Sequence, residues 1–163
     1  MQRSAIIELM QDPVAQELLQ KPIHARLAYN AKDGSPRVIP IGYFWNGEVF
    51  VMSSPVNSPK VTALVANPKV ALTVDTESFP PHVLLVRGTA AIEIVDGVPD
   101  EFVEASRRFV GEDGMPAWEA GVRALYQQMA IIRVTPTWAK ILDFETRLPS
   151  PVEELIRGNA EFP

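Results

Sequence analysis

Apolar and polar positions follow two different periods along this chain, and the places where the period changes divide it into elements. Residues 4–20 carry Ile6, Ile7, Leu9, Met10, Val14, Leu18 and Leu19 at helical spacing. Asp12-Pro13 interrupts that helix, because the residue before a proline avoids the α region, and Lys21-Pro22 ends it. Two apolar runs follow, 24–30 and 38–45, separated by a segment containing Asp33-Gly34, and Asn46-Gly47 then leads into 48–53. Asp-Gly and Asn-Gly between apolar runs are the turns whose twist suits antiparallel hairpins, so three strands are predicted here. Residues 58–67 predict a short helix stopped by Pro68. Strands are predicted at 70–75 and at 83–95, the second long or bent, with Arg87-Gly88-Thr89 as a bulge or barrel corner. Residues 99–110 and 116–128 return to helical spacing around Glu112-Asp113-Gly114. Two final strands are predicted at 129–134 and 138–144, on either side of Thr135-Pro136, and a helix at 150–157 closed by Gly158.

Six or seven strands joined by hairpins, without βαβ alternation, predict a mostly β, antiparallel barrel with peripheral helices. One domain is expected: an N-terminal helical segment (1–21), barrel strands (22–95 and 129–145), inserted helices (98–128) and a C-terminal helix (149–158). The chain has 163 residues, 47% of them apolar and 21% charged, which is ordinary for a globular domain. It contains no cysteine, which excludes disulfides, a thiol nucleophile and thiolate metal sites. Two histidines are too few for a histidine-rich metal centre. A net charge of −5 with no basic run argues against nucleic acid as a partner. No apolar stretch approaches a membrane span and residues 1–21 lack a signal-peptide pattern, so a cytoplasmic protein is expected.

Two segments carry candidate chemistry. Residues 37–45 (RVIPIGYFW) are apolar at odd and even positions alike, which predicts a strand covered on both faces. One face fills the barrel; the other meets a helix, a partner chain or a flat ligand. Pro40 lacks an N–H and Gly42 a side chain, leaving room for close approach. Further on, Ser58 is a suitable N-cap and Pro59 suits the first helical position. Ser53, Ser54, Ser58 and the Lys60 ammonium would then surround a positive helix end, the chemistry of an anion or phosphate site. Ser-Pro also opens the helix at Ser150-Pro151, where no ligand is expected.

Taken in order, Ala25 to Tyr29, Asp33-Gly34-Ser35-Pro36, Ile39-Pro40, Trp45-Asn46-Gly47, Phe50-Val51-Met52-Ser53, Ser58-Pro59-Lys60, Asn67-Pro68, Val86-Arg87-Gly88-Thr89 and Arg133-Val134-Thr135-Pro136 resemble the pyridoxamine 5'-phosphate oxidase-like, FMN-binding split-barrel superfamily. The resemblance spans roughly residues 5 to 145. It implies an antiparallel split β-barrel, working as a homodimer with its cofactor at the subunit interface, and hydride transfer through a flavin-type ring. It implies that Ser58 and Lys60, with Ser53 and Ser54 beside them, hold a cofactor phosphate, and that Ile39, Pro40 and Ile41 lie against the ring. Two departures are visible: Pro59 stands where many members carry arginine, and Val83 stands near where several oxidases carry glutamine. Trp45-Asn46-Gly47 also resembles members that use the deazaflavin coenzyme F-420, and other members bind haem.

The remaining candidates divide by role. Arg87 either pairs with an acid or reaches a cofactor from a second chain, and Trp138 either covers a cofactor ring or closes the barrel. His82 reads as a loop residue rather than a catalyst. The stripe of Trp118, Val122, Leu125 and Tyr126 reads as packing, and Glu101, Glu104, Arg107 and Arg108 as a solvated helix face. Three functions stay open: an FMN- or F-420-dependent oxidoreductase acting on a small molecule, a non-catalytic flavin or haem carrier, and a structural dimer with a vestigial site.

Overall fold

The computed structural model of the protein describes residues 1–160. Its elements run α1 (Arg3–Met10), α2 (Pro13–Gln20), β1 (Ala25–Asn30), β2 (Pro36–Ile41), β3 (Phe44–Trp45), β4 (Phe50–Pro55), α3 (Pro59–Ala66), β5 (Lys69–Asp75), β6 (Val83–Asp96), α4 (Asp100–Val110), α5 (Met115–Leu125), β7 (Gln128–Leu142) and α6 (Ser150–Ala160). The interruption expected at Asp12-Pro13 divides the N-terminal segment into two helices: Asp12 leaves the helical region before Pro13 and its carboxylate caps α2 at Val14 N (2.9 Å).

The seven strands form one sheet in the order β2-β1-β5-β6-β7-β4-β3, with every neighbouring pair antiparallel. β2 and β3 are its two edges, yet only Gly42 and Tyr43 separate them in the chain. Short connections force such a sheet to curl until its edges approach, giving a barrel open along one seam. This is the split antiparallel barrel expected from the sequence. Leu27, Phe50, Met52, Leu72, Leu84 and Ile132 fill its interior, joined by Ile6, Met10 and Leu18 from the N-terminal helices and Leu64 from α3.

Three local expectations are corrected. Residues 128–142 form one continuous strand instead of two, since Pro136 is accommodated where the ladder shifts register between Arg87 and Gly88. Thr137 is the unpaired residue of that bulge, so the irregularity foreseen at Arg87-Gly88-Thr89 is there, with its extra residue on the facing strand. A Cβ on Gly88 would lie 2.6 Å from Thr135 O, so the bulge closes only around glycine. Gly158 does not end the last helix, which continues to Ala160. The second strand is not covered twice within the chain: Ile39 and Ile41 face the core, whereas Val38 on the other face is 66% exposed. β2 is an edge strand, which is also where proline is tolerated.

α4 and α5 lie outside the barrel on a second apolar cluster of Val98, Val103, Met115 and Met129, against which Trp118, Val122 and Tyr126 pack. The packing expected of that stripe holds for these three; Leu125 is exposed. Among the described residues no helix is long and apolar enough to cross a membrane.

Candidate functional site

The seam of the barrel is built by its hinge. β3 pairs with β4 at Phe44↔Val51 and Trp45↔Phe50. That register, carried past Gly42-Tyr43, would set Ile41 beside Ser54 and Pro40 beside Pro55. There β2 has turned to pair with β1 instead, through Pro40↔Arg26 and Ile39↔Leu27. Strands whose ladder stops while the chains continue must diverge, and the wedge between them is the split. Ile39, Pro40 and Ile41 therefore stand on one wall, and Ser53 and Ser54 on the other.

Side-chain alternation decides what each wall offers. Ile39 and Ile41 point into the core, so β2 presents its backbone and the exposed Val38 and Pro40 outward. On β4, Phe50, Met52 and Ser54 share the inner face, and Val51 and Ser53 the outer one. Ser54 is fully buried, and its hydroxyl accepts a hydrogen bond from Lys60 Nζ at 2.9 Å. Ser58 Oγ accepts a second at 2.7 Å. Ser58 does occupy the N-cap position of α3, but its side chain makes no capping bond, because the hydroxyl serves the ammonium. Ser53 lies on the opposite face of the strand from this cluster, and its buried Oγ has no partner among the described residues.

Lys60 is half-buried and no carboxylate pairs with it among the described residues. Burial in this setting lowers its pKa, since leaving water penalises the charged form. Two hydroxyls take two of its three protons, and the third stays available. The arrangement is a preformed cationic donor at an uncapped helix N-terminus, and these features fit an anionic group such as a phosphate. Pro59 contributes neither charge nor N–H.

Arg87 and Trp138 are not with Lys60 in the same chain. They sit opposite one another on the outer face of the sheet, the guanidinium 4.5 Å from the indole centroid. The other wall of the seam is overhung by α4, through a contact that sequence reasoning missed. Arg108, expected on a solvated face, instead donates hydrogen bonds to Leu19 O and Tyr43 O and lies 4.3 Å over the Tyr43 ring. Phe109 stacks on His24 (4.1 Å) and approaches Gly42. Helical period alone could not identify these partners, which come from three separate segments. His82, read as a loop residue, is tied to α2 through Nδ1 and Glu17 Oε2 (2.9 Å). That carboxyl is held below its usual range by Lys21 first and His82 second.

The architecture recurs in known proteins. An F420 reductase is 30% identical over 77% of this chain and 94% of its own length, with a TM-score of 0.62. An FAD-binding protein from Mesorhizobium loti is 22% identical over 77% of this chain and 89% of its own, with a TM-score of 0.50. The haem storage protein HutZ from Vibrio cholerae is 17% identical over 81% of this chain and 93% of its own, with a TM-score of 0.58. No curated protein sequence matches the chain. The model of one family, pyridoxamine 5'-phosphate oxidase, aligns with residues 11–142, which include the hinge, both walls of the seam and Lys60, and the chain belongs to that family.

Proposed function

We propose that the protein is an oxidoreductase that transfers hydride through a flavin-type ring, FMN or the deazaflavin coenzyme F-420, between a reduced donor and a small substrate. The observation that carries this reading is the half-buried Lys60 ammonium, held by Ser54 and Ser58 at the N-terminus of α3. Family membership supports it, as does the 30% identity to an F420 reductase. A bound ring of this kind supplies the hydride acceptor; the chain binds and orients it. Lys60 and Ser58 would hold its phosphate, with Ser54 fixing the ammonium. The β2 backbone at Ile39, Pro40 and Ile41 would support the ring. Ser53, on the opposite face of β4, would join them with its buried, unpartnered hydroxyl.

The same proposal includes a cytoplasmic homodimer. The uncovered face of β2, with Val38 and Pro40 exposed, needs a cover, and a two-fold copy is the commonest one. Arg87 and Trp138 belong to the cofactor site only as contributions from that second copy. A carrier of flavin or haem is the second reading. Pro59 favours it, because the phosphate site has one cation fewer, and the likeness to a haem storage protein is consistent with it.

The experiment is a set of spectral titrations of the purified protein with FMN, F-420 and haemin. Saturable uptake of FMN or F-420, and bleaching of that band by a reduced donor, is the expected result. A Soret band with no flavin uptake would establish the carrier reading, and uptake of none of the three would end both.

A further inference from the structure

The C-terminal helix lies against the molecule with its polar side inward. α6 touches its own chain through Ser150, whose hydroxyl accepts a hydrogen bond from Lys140 Nζ at 3.0 Å, and through Glu153, which lines a groove together with Glu8 and Leu9 of α1. Of residues 150–158, Glu153 alone is not exposed. A helix turns by about 100° per residue, so Val152, Leu155 and Ile156 form one stripe, and Ser150 and Glu153 fall on the other side. The stripe therefore points to water, with Leu155 66% and Ile156 54% exposed. Eleven residues make a helix that is marginal by itself, and an apolar stripe of this kind stabilises a helix only when something covers it.

The place of α6 in the fold points to what covers it. Ladder registers align Pro40, Arg26, Thr73, Leu85 and Lys140 in one row across the outer face of the sheet. Lys140, which holds Ser150, thus sets the start of α6 at the margin of the face proposed above as the subunit contact. That face is short of apolar surface. β1, β2 and β5 expose one large apolar side chain, Val38, whereas a stable interface takes roughly 800 Å² from each partner. Charges are complementary as well. Lys69, on the same face as Ala71 and Thr73, has no carboxylate partner among the described residues, and neither Glu153 nor Glu154 of α6 has a cationic one. We infer that α6 is an arm that docks, through Val152, Leu155 and Ile156, on the outer sheet face of a second copy of this chain. The arm rests on the two-fold dimer proposed above and names the segment that would clasp its two copies. α6 lies outside residues 11–142, the part that matches the family, so nothing in that match accounts for the stripe.

A spin label on Gly158→Cys in the full chain tests this, because the chain has no cysteine of its own and position 158 borders the stripe without belonging to it. The label is expected to be immobilised at concentrations where the protein sediments as a dimer, and to become mobile on dilution to the monomer. Leu155→Asp/Ile156→Asp should raise the dimer dissociation constant at least about tenfold, through loss of buried apolar surface, with the far-UV circular dichroism of the barrel retained. The same double variant should free the label. A label that is mobile in the dimer, a label that stays immobilised in the monomer, or a double variant that dimerises as the parent does would each overturn the arm while leaving the dimer through β2 standing. A parent chain that is monomeric at every concentration would overturn both.

Discussion

Lys60 holds its charge against the cost of burial, and two hydroxyls only partly offset that cost. Lys60→Ala should therefore weaken binding of a phosphate-bearing cofactor by about 1–3 kcal/mol without lowering the melting temperature, since an unpaired, half-buried ammonium is lost. Binding should also fade on the alkaline side earlier than for an ordinary lysine, because the site needs the charged form and its pKa is lowered. Gly88 obeys a different constraint. Gly88→Ala brings a methyl within 2.6 Å of Thr135 O and 2.8 Å of Val134 Cγ1, both on the adjacent strand. A loss of roughly 1–3 kcal/mol is expected from urea unfolding. Asp143, just after β7, accepts hydrogen bonds from the Thr146 hydroxyl (2.7 Å), the backbone N–H groups of Glu145, Thr146 and Arg147, and the Arg147 guanidinium. The Thr146 hydroxyl above all, with the Arg147 and Glu145 N–H groups, holds this carboxyl well below the carboxylate range. Its folded pKa is depressed, so its contribution is full above the unfolded value of about 3.9 and is lost as pH falls. Asp143→Asn should be less stable than the parent at pH 7, and the gap should narrow in chemical unfolding measured from pH 4 toward pH 2.

Among the elements, α4 is tied to the barrel at both of its ends. Glu101 at its first turn bonds Arg133 of β7 at 3.0 Å, and Arg108 at its last turn bonds the carbonyls of Leu19 and Tyr43. The helix thus crosses β4, from its β7 neighbour on one side to the segment leading into β3 on the other. Arg108→Met removes the donors but keeps much of the stem that packs on Tyr43. Two carbonyls lose their partners, so amide exchange around Tyr43 and along residues 107–110 should speed up, with about 1–3 kcal/mol lost in global stability. If exchange there is unaltered, the Arg108 contacts do not anchor the helix. α3 shows why an element's position matters more than its cap. Its N-terminus is available to an anion because Ser58 Oγ is bound to Lys60, an outcome that Ser-Pro alone does not foretell, since the same dipeptide starts α6.

At the scale of the whole molecule, the curled sheet leaves one face bare. Val38 is 66% exposed in a row that continues through Ala28 and Ala71 to Arg87. A two-fold dimer through β2 should sediment as such at micromolar concentration. Val38→Glu, which places two charges against each other near the axis, should shift that equilibrium toward monomer without changing the far-UV circular dichroism.

The sequence by itself determined the elements and the class of fold. Period-two runs punctuated by Asp33-Gly34 and Asn46-Gly47 dictate hairpins, and hairpins dictate an antiparallel sheet, because these signals act over a few residues. It also marked Ser54, Ser58 and Lys60, which lie close in the chain and stay close in space. Tertiary structure alone decided that Arg108 leaves the solvated face for two distant carbonyls, and that Arg87 stacks on Trp138 across the ladder, apart from Lys60. Each of these depends on which strands become neighbours, and neighbours separated by fifty or more residues are chosen by burial and closure of the sheet, to which no local pattern is sensitive.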